Sequence, residues 1–254
     1  MILYDLTSPQ VSELDRSTVV VVPVGSVEQH SLHLPLGTDS IIGEAVSRRL
    51  EQKLPEQVLL LPMMWLGCSR HHMDFAGSLT AEIDTFIDVG EQLVSSMAEH
   101  GFRNFIILNS HGGNVNKVSL MAEKLRYKLG PTVKVAAVTY WHLISEEIKA
   151  IRETPIGGMG HSGELETSVM LVVRPELVRN DLIDPDGPEN PSKFEGRDLF
   201  VPGKVAVAKT FKEMTRHGGV GDPRKASREK GEKILSVIVE KLTEVVTEIR
   251  AGNI

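Results

Sequence analysis

Glu28, His30, His33 and Asp39 fall within twelve residues of one another, in the stretch GSVEQHSLHLPLGTD at positions 25 to 39. Imidazole and carboxylate are the usual protein ligands of zinc, manganese and iron, so this grouping points first to a divalent ion. Glu28 and His30 are two residues apart, and in an extended segment both side chains point to one side. Asp39 can return to the same spot, where a carboxylate can bridge two ions; two-metal hydrolases hold theirs about 3.5 to 4 Å apart. His33 is either a further participant or a brace for the loop.

The elements that must position these residues are legible around them. TVVVVPVG (18 to 25), VLLLPMMWLG (58 to 67), NFIILNS (104 to 110) and VKVAAVTYW (133 to 141) are continuously apolar, as strands covered on both faces must be. Amphipathic stretches lie between them. One begins near Thr38 or Asp39, either of which can cap it, and the next two end at Gly101 and Gly130. Strand alternating with helix predicts right-handed βαβ units, hence an α/β fold with a mainly parallel sheet between helices. The stretch ETSVMLVVRPELV after GHSGEL is either a strand or a short helix. Residues 180 to 222, rich in Pro, Gly, Asp and Glu, form a long surface excursion that serves as a functional loop or a subunit contact. A long helix over 223 to 249 closes the chain.

Ligands of open parallel sheets bind beyond the carboxyl ends of the strands. The four predicted strands run into GSVEQH, GCSRHH, NSHGGN and YWH, so every such turn carries histidine. Six of the nine histidines, His30, His33, His71, His72, His111 and His142, lie in or beside these turns. The glycines after His111 let the backbone pass close to a ligand. His71, His72 and His142 are each either ligands or ordinary loop residues, and Cys68 is either a nucleophile beside His71 or a core residue. No GxSxG elbow or GxxxxGK[ST] loop occurs, and the GxGxxG at 158 to 163 lacks the preceding strand a dinucleotide site requires.

The net charge is -6, and no long basic run offers a footprint for nucleic acid or an anionic membrane. With one cysteine there is no intramolecular disulfide framework, and MILYDLTSPQ has neither a basic nor an apolar leader region. The expectation is one cytoplasmic domain over residues 1 to 254 that acts on a small molecule.

Five blocks, GSVEQHSLHLPLGTD, FAGSLT, NSHGGN, GHSGELETS and GDPRKASREKG, resemble in content and order those of the creatininase (creatinine amidohydrolase) family and span nearly the whole chain. The resemblance implies a three-layer α/β/α domain assembled as a homohexamer, with two divalent ions per chain (Zn, Mn or Fe) at the carboxyl edge. It implies Glu28 and His111 on one ion, His30 on the other, Asp39 as bridge, and His161 as the group that shuttles a proton to the leaving nitrogen. Creatininase proper has a further glutamate two residues after the histidine of the NSHGGN-type block, where this chain has Gly113. Glu164, at a position apolar in creatininase proper, is the expected replacement ligand. Glu166, Ser69, His72, Asn114 and Trp141 are expected to support the ligands or touch substrate.

Gly157, Gly158 and Gly160 stand where creatininase proper has a tryptophan and acidic residues, so an open, mobile lid and a substrate other than creatinine are expected. The expected reaction is dinuclear metal hydrolysis of a C–N bond outside standard peptides, in a cyclic amide or formamide. Ring opening of a keto-inositol or sugar-derived substrate, and metal-dependent binding without catalysis, are the alternatives.

Overall fold

A computed structural model describes residues 1–188 and 192–254. Four strands, β1 (Val19–Val24), β2 (Val58–Leu60), β3 (Asn104–Asn109) and β4 (Lys134–Thr139), form a parallel sheet in the order β2-β1-β3-β4. Strands β1 and β3 lie at the centre and pair over six residues, from Val19 with Asn104 to Val24 with Asn109. Strand β2 is shorter than its apolar stretch because Pro62 has no N–H to give the ladder; the chain regains contact only at the bridge between Met64 and Val24.

Alternation along the strands divides the core in two. On one face Val19, Val21, Ile106 and Leu108 meet α2 (Thr38–Lys53), α5 (Glu164–Val173) and α7 (Arg228–Ala251), through Ile42, Val46, Val169, Ile234 and Leu242. On the other, Val20, Val22, Phe105 and Ile107 meet α3 (Ile83–Glu99) and α4 (Val115–Leu129), through Phe86, Val94, Met121 and Leu125. Each such side chain contributes about 1.5–3 kcal/mol when fully buried, so the turns rise from a rigid base. A short α1 (Ser8–Glu13) precedes the sheet. The three layers match the expected α/β/α class, and the stretch after GHSGEL is the helix α5.

The excursion from 180 to 222 contains a 3₁₀ turn (Asn180–Leu182), α6 (Phe211–Met214) and, among its described residues, otherwise largely irregular chain; residues 189 to 191 lie outside the described residues. It folds back over the carboxyl edge of the sheet. Asp198 anchors it, accepting from Arg152 Nη2 at 2.7 Å and from the Gly157 amide at 2.7 Å. The expected open lid is not found at Gly158 and Gly160, where the backbone is closely packed, while Gly157 has open space around it. A Cβ on Gly160 would run into the carbonyl oxygens of Val220 and Arg197, so glycine there permits close backbone packing.

Candidate metal centre

The loop after β1 is closed by backbone bonds from Glu28 to Leu36 and from Leu34 to His30, and α2 begins at Thr38 directly behind it. Asp39 therefore sits in the first turn of α2, where the helix dipole favours a carboxylate. The turn after β2 adds Ser69, His71 and His72, and the turn after β3 adds His111. The segment before α5 adds His161, and α5 itself adds Glu166.

Asp39 stands at the middle of the cluster. Its Oδ1 lies 3.3 Å from His30 Nε2, and its Oδ2 lies 3.0 Å from His111 Nδ1. Glu166 Oε2 lies 3.9 Å from His30 Nε2, while Glu28 Oε1 lies 3.3 Å from His111 Nδ1. All five side chains are buried.

The far nitrogen of each ring fixes the tautomer of the near one. His30 Nδ1 donates to the Glu28 carbonyl at 3.1 Å, and His111 Nε2 to the Cys68 carbonyl at 3.2 Å. The lone pairs of His30 Nε2 and His111 Nδ1 are thereby turned toward Asp39. Among the described residues, His30 Nε2 and Asp39 Oδ2 make no properly aligned hydrogen bond. Buried lone pairs facing one another repel unless a proton or a metal ion lies between them, and imidazole with carboxylate is a donor set that fits divalent ions. The groups His30, Asp39, Glu166 and Glu28, His71, His111 each bring their donor atoms within 4.8 Å of one another.

Electrostatics in the ion-free chain agree. Burial disfavours a charged His30, but Asp39, Glu166 and Glu28 overcome it and raise its pKa to about 9. Burial raises Glu166 to about 7 despite the attraction of His30. An entering ion must displace these protons. Divalent-ion affinity should therefore rise as pH climbs from about 6 to about 9, with net proton release measurable by calorimetry in buffers of different ionisation enthalpy. A pH-independent affinity would contradict this charge arrangement.

His161 lies beside the cluster. Its Nε2 donates to the Gln29 carbonyl at 2.8 Å, so Nδ1 carries the lone pair, 3.7 Å from Glu28 Oε1. Burial, reinforced by the neighbouring His30, holds this ring well below the usual imidazole range. Ser162, next in the chain, has φ of 60°, an uncommon conformation for a non-glycine residue. The Ser162 amide donates to Glu166 Oε2 at 2.6 Å, tying the two segments together.

Glu164 is a correction. The resemblance made it a ligand, yet Lys230 Nζ donates to its Oε1 at 2.6 Å, and Thr154 donates to its Oε2 from Oγ1 at 2.5 Å and from the amide at 2.9 Å. Residues two apart on a helix point about 200° apart, so α5 can turn only one of its two glutamates to the sheet edge. That one is Glu166.

Of the expected supporting residues, His72 lies 3.2 Å from Glu28 Oε1, and Ser69 Oγ lies 3.3 Å from His111 Nε2. Asn114 spans the turns, donating to the Gly25 carbonyl at 3.0 Å and accepting from the Cys68 amide at 3.0 Å. Trp141 is a correction: it is buried in the apolar layer with Tyr140 and Ile144, away from the cavity. His142 is exposed beyond it, so the turn after β4 brings no imidazole to the centre. His33 bonds to Thr167 Oγ1 at 2.9 Å and braces the loop against α5. Cys68 belongs to the core.

Sequence reasoning missed Gln29, whose amide links the His72 ring to the Gly218 carbonyl, and Phe211, whose ring stacks on His72 at 4.0 Å. Gln29 is flanked by two ligand-type residues, which was its one signal; Phe211 had none. Together these residues enclose a cavity of about 460 Å³, floored by the cluster and walled by residues 195 to 214 of the excursion.

A three-layer α/β/α fold with a buried histidine and carboxylate centre at the carboxyl edge of its sheet defines a metal-dependent hydrolase. The family described as creatinine amidohydrolase matches residues 4–246, and the chain belongs to this creatininase family. Creatinine amidohydrolase of Pseudomonas putida is 29% identical over 91% of this chain and 89% of its own length. The mycofactocin precursor peptide peptidase of Mycobacterium tuberculosis is 30% identical over 93% and 88%. A crystal structure of creatininase superposes with a TM-score of 0.79 at 25% identity, covering 97% of this chain and 96% of the other. Solved creatininases include Zn–Zn and Mn forms. No helix among the described residues is long and apolar enough to cross a membrane.

Proposed function

We propose that the chain is a dinuclear metal hydrolase that cleaves a non-peptide C–N bond, in a cyclic amide or formamide, of a small molecule. The observation that carries this reading is the Asp39 carboxylate, with one oxygen facing His30 and the other facing His111. Glu28, His111 and Asp39 Oδ2 would hold one ion; His30, Glu166 and Asp39 Oδ1 would hold the other. Bound there, two divalent ions supply Lewis acidity to a carbonyl and lower the pKa of a water.

The chain's own residues do the rest. His161 accepts the proton of the attacking water at Nδ1 and returns it to the departing nitrogen, while the Gln29 carbonyl keeps Nε2–H in place. Phe211, stacked on His72 and edge-on to His161 at 4.8 Å, excludes bulk water from that proton path. A cavity of about 460 Å³ suits a small molecule. Assembly as a homohexamer, which rests on the family resemblance, and a cytoplasmic setting, which rests on composition with its single cysteine, are part of the same proposal.

The test is chelation followed by return of zinc, manganese or iron, with turnover screened on lactams, formamides and keto-inositols. Turnover of a lactam or formamide should vanish with the ions and return with them. His161→Ala should lower kcat by about 10²–10⁴ with ion content unchanged. Turnover that survives complete ion removal would overturn the dinuclear reading. Turnover confined to keto-inositols would overturn the bond class.

A further inference from the structure

We propose that His71 is a fourth protein ligand of the ion held by Glu28, His111 and Asp39, which makes that position richer in nitrogen than its neighbour. The inference rests on the dinuclear reading above and concerns how its two halves differ.

Three observations converge. The donor atoms of Glu28, His71 and His111 lie within 4.8 Å of one another, and His71 lines the cavity. Its ring lies alongside that of His111, with centroids 5.8 Å apart and 11° between planes, so adjacent turns bring two imidazoles to the same side of the cavity. Each of the other four rings at the centre has a nitrogen committed to protein: His30 to the Glu28 carbonyl, His72 to Gln29, His111 to the Cys68 carbonyl and His161 to the Gln29 carbonyl. Among the described residues, His71 makes no such bond with either nitrogen.

Gly113 makes this approach possible. A Cβ on Gly113 would meet His111 Nε2 and the Cys68 carbonyl, and would come 2.7 Å from His71 Cε1. The space a side chain at 113 would enter is the space the His71 ring occupies. Where the resemblance places a glutamate on the turn after β3, this chain brings an imidazole from the turn after β2.

The consequence is chemical asymmetry. One position is offered two imidazoles, Glu28 and a share of Asp39; the other is offered one imidazole, Glu166 and the other share. Imidazole suits zinc, while manganese prefers oxygen donors, so the first position should favour zinc and the second should accept manganese more readily.

The test uses the full chain and His71→Phe, which keeps a stacking ring without a donor atom. Zinc titration of the apoprotein should resolve two binding events in wild type. In His71→Phe one event should weaken by at least about 100-fold while the other is unchanged. His71→Glu should restore a second ion and shift its preference toward manganese. Two unchanged binding events in His71→Phe would overturn the inference while leaving the dinuclear reading intact. An absence of ions from wild type would overturn the dinuclear reading itself. Should His71→Phe misfold, anomalous diffraction from zinc-loaded wild type decides: a His71 nitrogen at about 2.0–2.1 Å from zinc is expected. The inference fails if that nitrogen lies beyond about 3 Å, outside any Zn–N bond.

Discussion

Glu166→Gln should leave one ion per chain in place of two and lower turnover by about 10³-fold, since an ion's charge stabilisation is worth several kcal/mol. The fold should survive. Burial already raises Glu166 to about 7, so the ion-free protein tolerates its neutral form, and glutamine is close in shape to a protonated glutamate. The Ser162 amide, which donates to Oε2 at 2.6 Å, can still donate to a glutamine oxygen. What glutamine cannot do is supply the charge that His30 and Asp39 share with Glu166. Metal analysis of purified protein, alongside kcat on any substrate found, checks both halves. Two tightly held ions in Glu166→Gln would remove Glu166 from the ligand set.

Lys230→Met should cost about 3–5 kcal/mol of stability, because it strands the Glu164 carboxylate in the interior. Lys230 lies in the first turn of α7, and its ammonium is held by Glu164 and Glu153 and by the Lys225 carbonyl. For a chain of this length the loss corresponds to a fall in melting temperature of about 10 °C. Adding Glu164→Leu should recover most of it, since a buried pair replaced on both sides leaves no stranded charge. Burial raises the Glu164 pKa, but Lys230 and Thr154 outweigh it and leave the pKa lowered. The folded state therefore binds this proton less readily than the unfolded chain, and the contribution stands above the ordinary glutamate range and disappears on acidification. Thermal melts of the single and double variants, with ion content measured in parallel, test the structural role. Loss of an ion in Lys230→Met without loss of stability would contradict it.

The two glutamates show where the sequence was readable and where it was not. The apolar run of β1 and the polar turn after it announced both the sheet and the gathering of Glu28, His30 and Asp39. His111 followed from the rule that parallel strands open toward one edge. The choice of Glu164 over Glu166 rested on the resemblance alone, because an apolar run of that length does not say whether their segment is helix or strand. As a strand it would send both to one side; as α5 it sends them to opposite sides. Trp141 was misplaced for a related reason: the turn after β4 winds into a short 3₁₀ segment that sends the indole inward and His142 outward. The cavity wall lay beyond reach because nothing in its Pro and Gly content says where a long excursion returns. Gly158 and Gly160, just before His161, looked like freedom and proved to be contact.

That contact joins recognition to chemistry. Gly160 lies against the carbonyls of Val220 and Arg197, and the Val220 amide donates to the His161 carbonyl at 2.9 Å. The backbone that carries the His161 imidazole, the proton carrier of the proposed reaction, is thus laced to the wall a substrate would touch. A wall reshaped for a larger or differently charged molecule shifts the seat of His161 with it. In such a chain, selectivity and speed are not separate dials, and descent toward a new substrate has to retune both at once.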